Sequence, residues 1–278
     1  MGAEIEFLLT TLRTATPLAF VALGVLLAER AGILLMGVEG AMLVGGFTAI
    51  AVTVATGNPW LGMVAGTVAG FAAGAVLAGL TVWVPADQIV MGLAFNIACA
   101  GVTSFFFRIS SAGMQKLTPP LGFPLAWLAA AAALLVWLYL YRTNSGLLLR
   151  SAGHSVAAAR AAGVNIRATR AWALMVAGAF AGLGGAALTV GWVRSFSDEI
   201  TGGRGFIALA AVYLARWHPG WSLAACVLFG AGEALAFRAQ VLGGNPHLYL
   251  MVPYVLTLAV VGIAGRARAP QEAGRPYP

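Results

Sequence analysis

The sequence predicts an all-α, polytopic membrane protein of about nine transmembrane helices (eight to ten), and three observations predict it. Apolar residues make up 60% of the 278 positions and charged residues only 9%, where a soluble domain carries about a quarter of its residues as charges. The mean hydropathy is +0.89. The few charges also punctuate long uncharged runs instead of being scattered. Such a composition excludes an ordinary soluble, disordered or disulfide-stapled protein. Only Cys99 and Cys226 occur, far apart and each in an apolar stretch, so they read as packing residues.

Each span follows from the length of a bilayer crossing, roughly 20 helical residues for a core of about 30 Å. The first runs from Phe7 to Ala28, with Arg13 inside it. No charge separates Glu39 from Asp87, so that run holds two crossings, and Gly57-Asn58-Pro59 supplies the turn between them. Further crossings are expected over Gln88 to Phe107, Leu117 to Tyr141, Ala171 to Val193 and Ala239 to Gly265. Between the last two lie shorter pieces, Gly205 to Ala215 and Trp217 to Gly232, read as a broken span followed by a full one.

Arginine placement sets the orientation, because cytoplasmic loops are rich in Lys and Arg. Arg142 to Arg170 contains five arginines and no acid and serves as the cytoplasmic anchor. Counting outward puts Glu29-Arg30, Asp87 and Arg216 inside and the N-terminus outside. Glu4 and Glu6 replace the basic start of a signal peptide, so the first span is expected to stay in the mature protein. The net charge of +7 forms no patch on one segment, and nucleic acid is not an expected partner.

The halves resemble one another. Gly37-Val38-Glu39-Gly40 opens an apolar segment that reaches Asn58-Pro59-Trp60 and enters a Gly/Ala-rich span; Gly202-Gly203-Arg204-Gly205 opens one that reaches His218-Pro219-Gly220-Trp221 and does the same. The first would begin at the cytoplasmic face and the second at the external face, so the repeats, about 7–107 and 171–265, would be inverted within a single membrane domain spanning 1–278. Inverted repeats give a route to alternating access, which favours transport over catalysis.

Catalytic chemistry is poorly supplied. The only lysine, Lys116, lies in no phosphate loop, the three histidines have no metal-ligand spacing, and no nucleophile elbow is present. No cofactor or metal is therefore expected. Acids inside spans carry more weight, since an ionised group in lipid needs water or a partner. Glu39 and Glu233 are candidates for a polar pathway or gate, together with Gly37, Gly40, Arg204 and Gly205 of the two segment openings. For both acids the alternative is an ion pair with an arginine at a membrane edge, for example Glu39 with Arg30; for Asn96, in mid-span, it is a bond to a neighbouring helix. Gly62, Gly66, Gly70 and Gly74 form one stripe on a helix and read as packing. Trp60, Trp83, Trp127, Trp192, Trp217 and Trp221 read as interface anchors.

The string Ala28 to Gly45 (AERAGILLMGVEGAMLVG) resembles the opening motif of bacterial ABC-transporter permeases for nucleosides and simple sugars, a branch related to ribose and branched-chain amino acid permeases. Gln88 to Asn96, Gly146 to Gly163 with the Gly178 to Gly185 span, and Gly203 to Val212 look like the same family in order and spacing. The resemblance implies a permease subunit in the bacterial plasma membrane that hydrolyses no ATP itself. It would work with a cytoplasmic ABC ATPase, a second and unlike permease, and an extracytoplasmic solute-binding lipoprotein. It also implies that a cytoplasmic segment docks on the ATPase. Here that falls on Arg150, Gly153, His154, Ser155, Ala158, Ala159 and Gly163, within 142–170. This stretch is alanine-rich, with Ser155 able to cap a helix and Gly163 to end it; a plain amphipathic surface loop is the alternative. Where the family commonly has Glu-Asn-Pro-Glu-Ala-Ala, this chain has His154 to Ala159 (HSVAAA), without the acids and the proline.

The expected function is thus import of nucleosides or related sugar-containing solutes. An ion-coupled secondary transporter using Glu39 and Glu233 is the competing class, and a membrane-embedded enzyme lacks a catalytic cluster.

Overall fold

The computed structural model describes residues 2–84, 86–114 and 124–241, with a few isolated positions beyond. Helices dominate, and no strand occurs among the described residues. The chain runs through α1 (Gly2–Arg30), α2 (Val38–Thr56), α3 (Pro59–Ala78), α4 (Gln88–Met114), α5 (Pro124–Arg142), α6 (Asn144–His154), α7 (Val156–Ala161), α8 (Ile166–Ala186), α9 (Arg204–Leu214) and α10 (Pro219–Val241). Short π-helical turns, Gly79–Trp83 and Ala187–Val193, extend α3 and α8. Among the described residues seven helices are long and apolar enough to cross a membrane, and α9 is a shorter apolar helix. The expected span Ala239 to Gly265 lies outside the described residues beyond Val241.

Local sequence explains most boundaries. Gly57 takes a left-handed φ of 71° to close α2, and Asn58 caps α3 by accepting from Trp60 N, with Pro59 in its first turn. Thr143 caps α6, Ser155 caps α7 and Asn165 caps α8.

Three boundaries differ from expectation. α8 begins before Ala171 and takes in Arg167 and Arg170. Arg170 can sit there because it is buried with its Nε donating to the Ala31 carbonyl at 3.3 Å. α10 continues past Gly232 through Glu233 to Val241, since Glu233 has a cationic partner. The arginine-rich anchor is two helices, α6 and α7, with extended backbone at Ser155 (φ −153°, ψ 110°) between them.

The core is built on glycine. A Cβ on Gly45 would meet the Gly182 carbonyl oxygen at 2.6 Å, one on Gly70 would meet Gly182 Cα at 2.6 Å, and one on Gly74 the Leu174 oxygen at 2.5 Å. The Gly62-Gly66-Gly70-Gly74 stripe is therefore a packing seam, laid against α2 and α8. Such backbone approach is how helices associate where lipid removes the hydrophobic drive. Thr189 adds a bond to the Gly46 oxygen at 3.0 Å. α1 is the most enclosed of the seven helices, packed on α8, α9 and α10, whereas α4 and α5 lie at the periphery and expose Ile97, Phe105, Leu135 and Trp127.

Candidate functional site

The helices of both segment openings, α2 and α9, start at a glycine. Gly37 precedes α2 and Gly203, at φ 80°, precedes α9, and neither can offer a capping side chain. The first N–H groups of a helix need acceptors, so here they come from other helices. Asn96 of α4 caps α2: its Oδ1 accepts from Gly40 N at 2.8 Å, while its Nδ2 donates to the Met36 carbonyl at 2.8 Å. Glu39 of α2 in turn caps α9. Its two carboxylate oxygens accept from Gly203 N at 2.8 Å and Gly205 N at 2.7 Å. A carboxylate at a helix N-terminus is also favoured by the helix dipole.

Glycine is required for this approach. A Cβ on Gly205 would meet Glu39 Oε2 at 2.5 Å, and one on Gly40 would meet Asn96 Oδ1 at 3.0 Å. On the far side of the clasp, Arg204 forms an ion pair with Glu233 of α10. Arg204 Nη1 also donates to the Ile200 oxygen at 3.1 Å, and the guanidinium lies 5.5 Å from the Trp192 ring centroid. Side chains of the pair are 16% exposed each, so each charge depends on the other.

Gly37, Glu39, Gly40, Asn96, Arg204, Gly205 and Glu233 therefore form one connected cluster. Glu39 is spent on α9 and does not pair with Arg30, and Asn96 bonds neighbouring backbone. The cluster joins α2, α4, α9 and α10, and none of its residues lines the cleft of about 470 Å³ that Tyr139, Leu148, Trp172 and Phe180 help to form.

Sequence reasoning missed four participants. Trp192 is a partner of Arg204, not an interface anchor. Trp217 is buried and donates its indole N–H to Glu29, which is itself fully buried. Arg30 donates to the Trp217 carbonyl from Nε at 3.1 Å and Nη2 at 2.7 Å. Trp60, Trp83, Trp127 and Trp221 are exposed, as anchors would be.

In the segment expected to meet an ATPase, Gly153 lies flat on the end of α1, where a Cβ would meet Gly32 N at 2.9 Å. Arg150 stacks over Tyr141 at 4.9 Å. Ser155 Oγ accepts from Ala158 N at 3.3 Å, and Gly163 takes a φ of 78°. Ala159 is buried with Ala152 and Ile166 in a small apolar cluster of its own, while His154, Ala158 and Gly163 stay exposed.

The chain is similar to several known proteins over most of its length. The guanosine ABC transporter permease NupQ of Bacillus subtilis is 34% identical over 96% of this chain and 94% of its own length. The nucleoside ABC transporter permease NupC of Lactococcus lactis is 31% identical over 95% and 93%. A putative glucose ABC transporter permease of Haloferax volcanii is 34% identical over 91% and 90%. No solved structure matches. Membership implies, in kind, an ATPase and a solute-binding protein as partners, and with seven apolar helices it indicates a multi-pass protein of the bacterial plasma membrane. Residues 7–261 match the branched-chain amino acid transport system / permease component family, and the chain belongs to that family as a permease subunit of an ABC importer.

Proposed function

We propose that this chain forms half of the translocation path of a nucleoside importer, beside a second, unlike permease, with a separate cytoplasmic ATPase docked on α6–α7 and a solute-binding lipoprotein outside. The observation that carries the solute class is the end-to-end similarity to a guanosine and a nucleoside permease. In this reading the joint of Glu39 with Gly203 and Gly205 is the gate. α9 has 11 residues, about 16 Å at 1.5 Å per residue, so the joint sits about half a bilayer core from the Arg30 end. Closed, the joint pairs both Glu39 oxygens and the Asn96 amide with backbone and Arg204 with Glu233, while Arg204 Nε is buried without a hydrogen-bond partner. Opened, it presents a carboxylate, two helix-end N–H groups and the Arg204–Glu233 pair, which suit a ribose and the polar edge of a base.

The test begins with purification of the tagged chain from its native membrane with its associated proteins. Reconstituted with them in liposomes, it should take up labelled guanosine only with ATP, and Glu39→Ala should reduce uptake by about tenfold or more for the loss of two charge-assisted bonds. Uptake of glucose instead would reassign the solute. Uptake by the chain alone under an ion gradient, without ATP, would overturn the reading in favour of secondary transport.

A further inference from the structure

α9 is held at both ends by residues flanking a single connection, Ala31 to Gly37. At its N-terminus stands Glu39. At its C-terminus the chain turns through Ala215 to His218, and Arg30 grips that turn with two bonds to the Trp217 carbonyl. Arg30 reaches Tyr141 Oη at 3.4 Å as well. Glu29 accepts the Trp217 indole N–H, and Tyr213 packs edge-on against Trp217 at 5.0 Å. Glu39 at the N-terminal end and Arg30 at the C-terminal end each agree with the helix dipole, while Arg204 and Glu29 at the same ends bear the opposite kind of group and are held by Glu233 and the Trp217 indole.

The grip holds an unfavourable backbone. Arg216 and Trp217 are consecutive non-glycine residues with φ of 50° and 57°, a conformation that persists only where surroundings over-determine it. The same end of α1 carries the coupling segment, since Gly153 rests on the Arg30 carbonyl group and Gly32. Arg150 covers Tyr141, the ring that Arg30 touches, and Tyr141 lies 6.0 Å from the His218 ring. Two routes thus join α6 to the α9 turn, one through Arg30 and one from Arg150 through Tyr141 to the His218 ring.

We propose that Arg30 is the positioning residue of coupling: displacement of α6 at Gly153 moves the Arg30 end of α1, Arg30 draws the Trp217 turn with it, and α9, acting as a rigid strut, withdraws Gly203 and Gly205 from Glu39. This rests on the importer reading above. The ATPase stroke is delivered to a mid-path joint about 16 Å away.

Two readouts on the assembled importer test it. Hydrogen exchange at the Gly203 and Gly205 amides is compared between nucleotide-free and ATP-trapped wild-type complex; exchange should rise on trapping, and unchanged exchange overturns the strut. ATP consumed per nucleoside imported is then measured for Arg30→Lys, whose single ammonium cannot supply Arg30's forked donors, and for Trp217→Phe, which keeps the ring and removes the donor to Glu29. The ratio should rise about tenfold in Arg30→Lys and by a smaller factor in Trp217→Phe. A wild-type ratio in both overturns the proposal, because a merely structural role would lower assembly and uptake together and leave the ratio alone. Should Arg30→Lys not assemble, Trp217→Phe and the exchange data decide. A wild-type complex without ATPase or ATP-driven uptake would instead sink the importer reading itself.

Discussion

At the scale of single residues, what glycine omits matters more than what most side chains add. Gly45, Gly70, Gly178 and Gly182 bring three helices into backbone contact, and an added Cβ at Gly182 would meet Gly70 Cα at 2.7 Å. Backbone cannot yield as a side-chain end can, and overpacking a close-packed interior costs about 1–3 kcal/mol or more. Gly182→Leu should therefore lower the melting temperature of the detergent-solubilised protein by several degrees. Gly79 provides the contrast: its backbone is helical at φ −55° and nothing lies within 4 Å of an added Cβ. Gly79→Ala should leave the melting temperature unchanged or slightly raised. Equal effects at the two positions would contradict the packing described.

Among the elements, α9 owes its position to partners outside itself. Its glycine start has no cap of its own, so Glu39 supplies one, and Arg204 in its first turn binds Glu233 of α10. Both charges of that pair are largely buried, so removing one alone strands the other. Arg204→Met should destabilise by about 3–5 kcal/mol, whereas the double change Arg204→Met with Glu233→Met should recover most of it. A double-mutant cycle by thermal denaturation in detergent checks this; additive losses would show that the two side chains are not coupled. The pair also explains a misjudged boundary, since an acid read as the end of a span is, once neutralised, compatible with the helix that runs to Val241.

For the whole molecule, the arrangement of arginines predicts which end faces the cytoplasm. Arg160 lies exposed on α7 and Asn58 at the turn between α2 and α3, at places expected to be inside and outside respectively. Cys99 and Cys226 are buried, so they should give little background labelling. In intact cells, a membrane-impermeant thiol reagent should label Asn58→Cys directly and Arg160→Cys only after permeabilisation. The opposite pattern would invert the orientation and with it the side on which an ATPase could bind α6–α7.

Much of this was readable in the sequence, because hydrocarbon imposes a rule that composition alone reveals: a run without charge and of sufficient length becomes a helix. The spans from Phe7, Glu39, Gln88 and Ala171, the turn at Asn58-Pro59, the Ser155 cap and the packing stripe from Gly62 to Gly74 all follow from local pattern and propensity. The residues of the joint were picked out too, Glu39, Asn96 and Glu233 because charged or amide groups in apolar runs need partners, and Gly37, Gly40, Arg204 and Gly205 because they open the two similar segments. Which partners they take was decided by tertiary structure. Glu39 could have met Arg30 nine residues away, yet it caps a helix 164 residues further along, and Trp192 and Trp217 left the expected interface for buried guanidinium and carboxylate groups. Pairing depends on which surfaces the glycine seams bring together, and that geometry exists only once distant helices have packed.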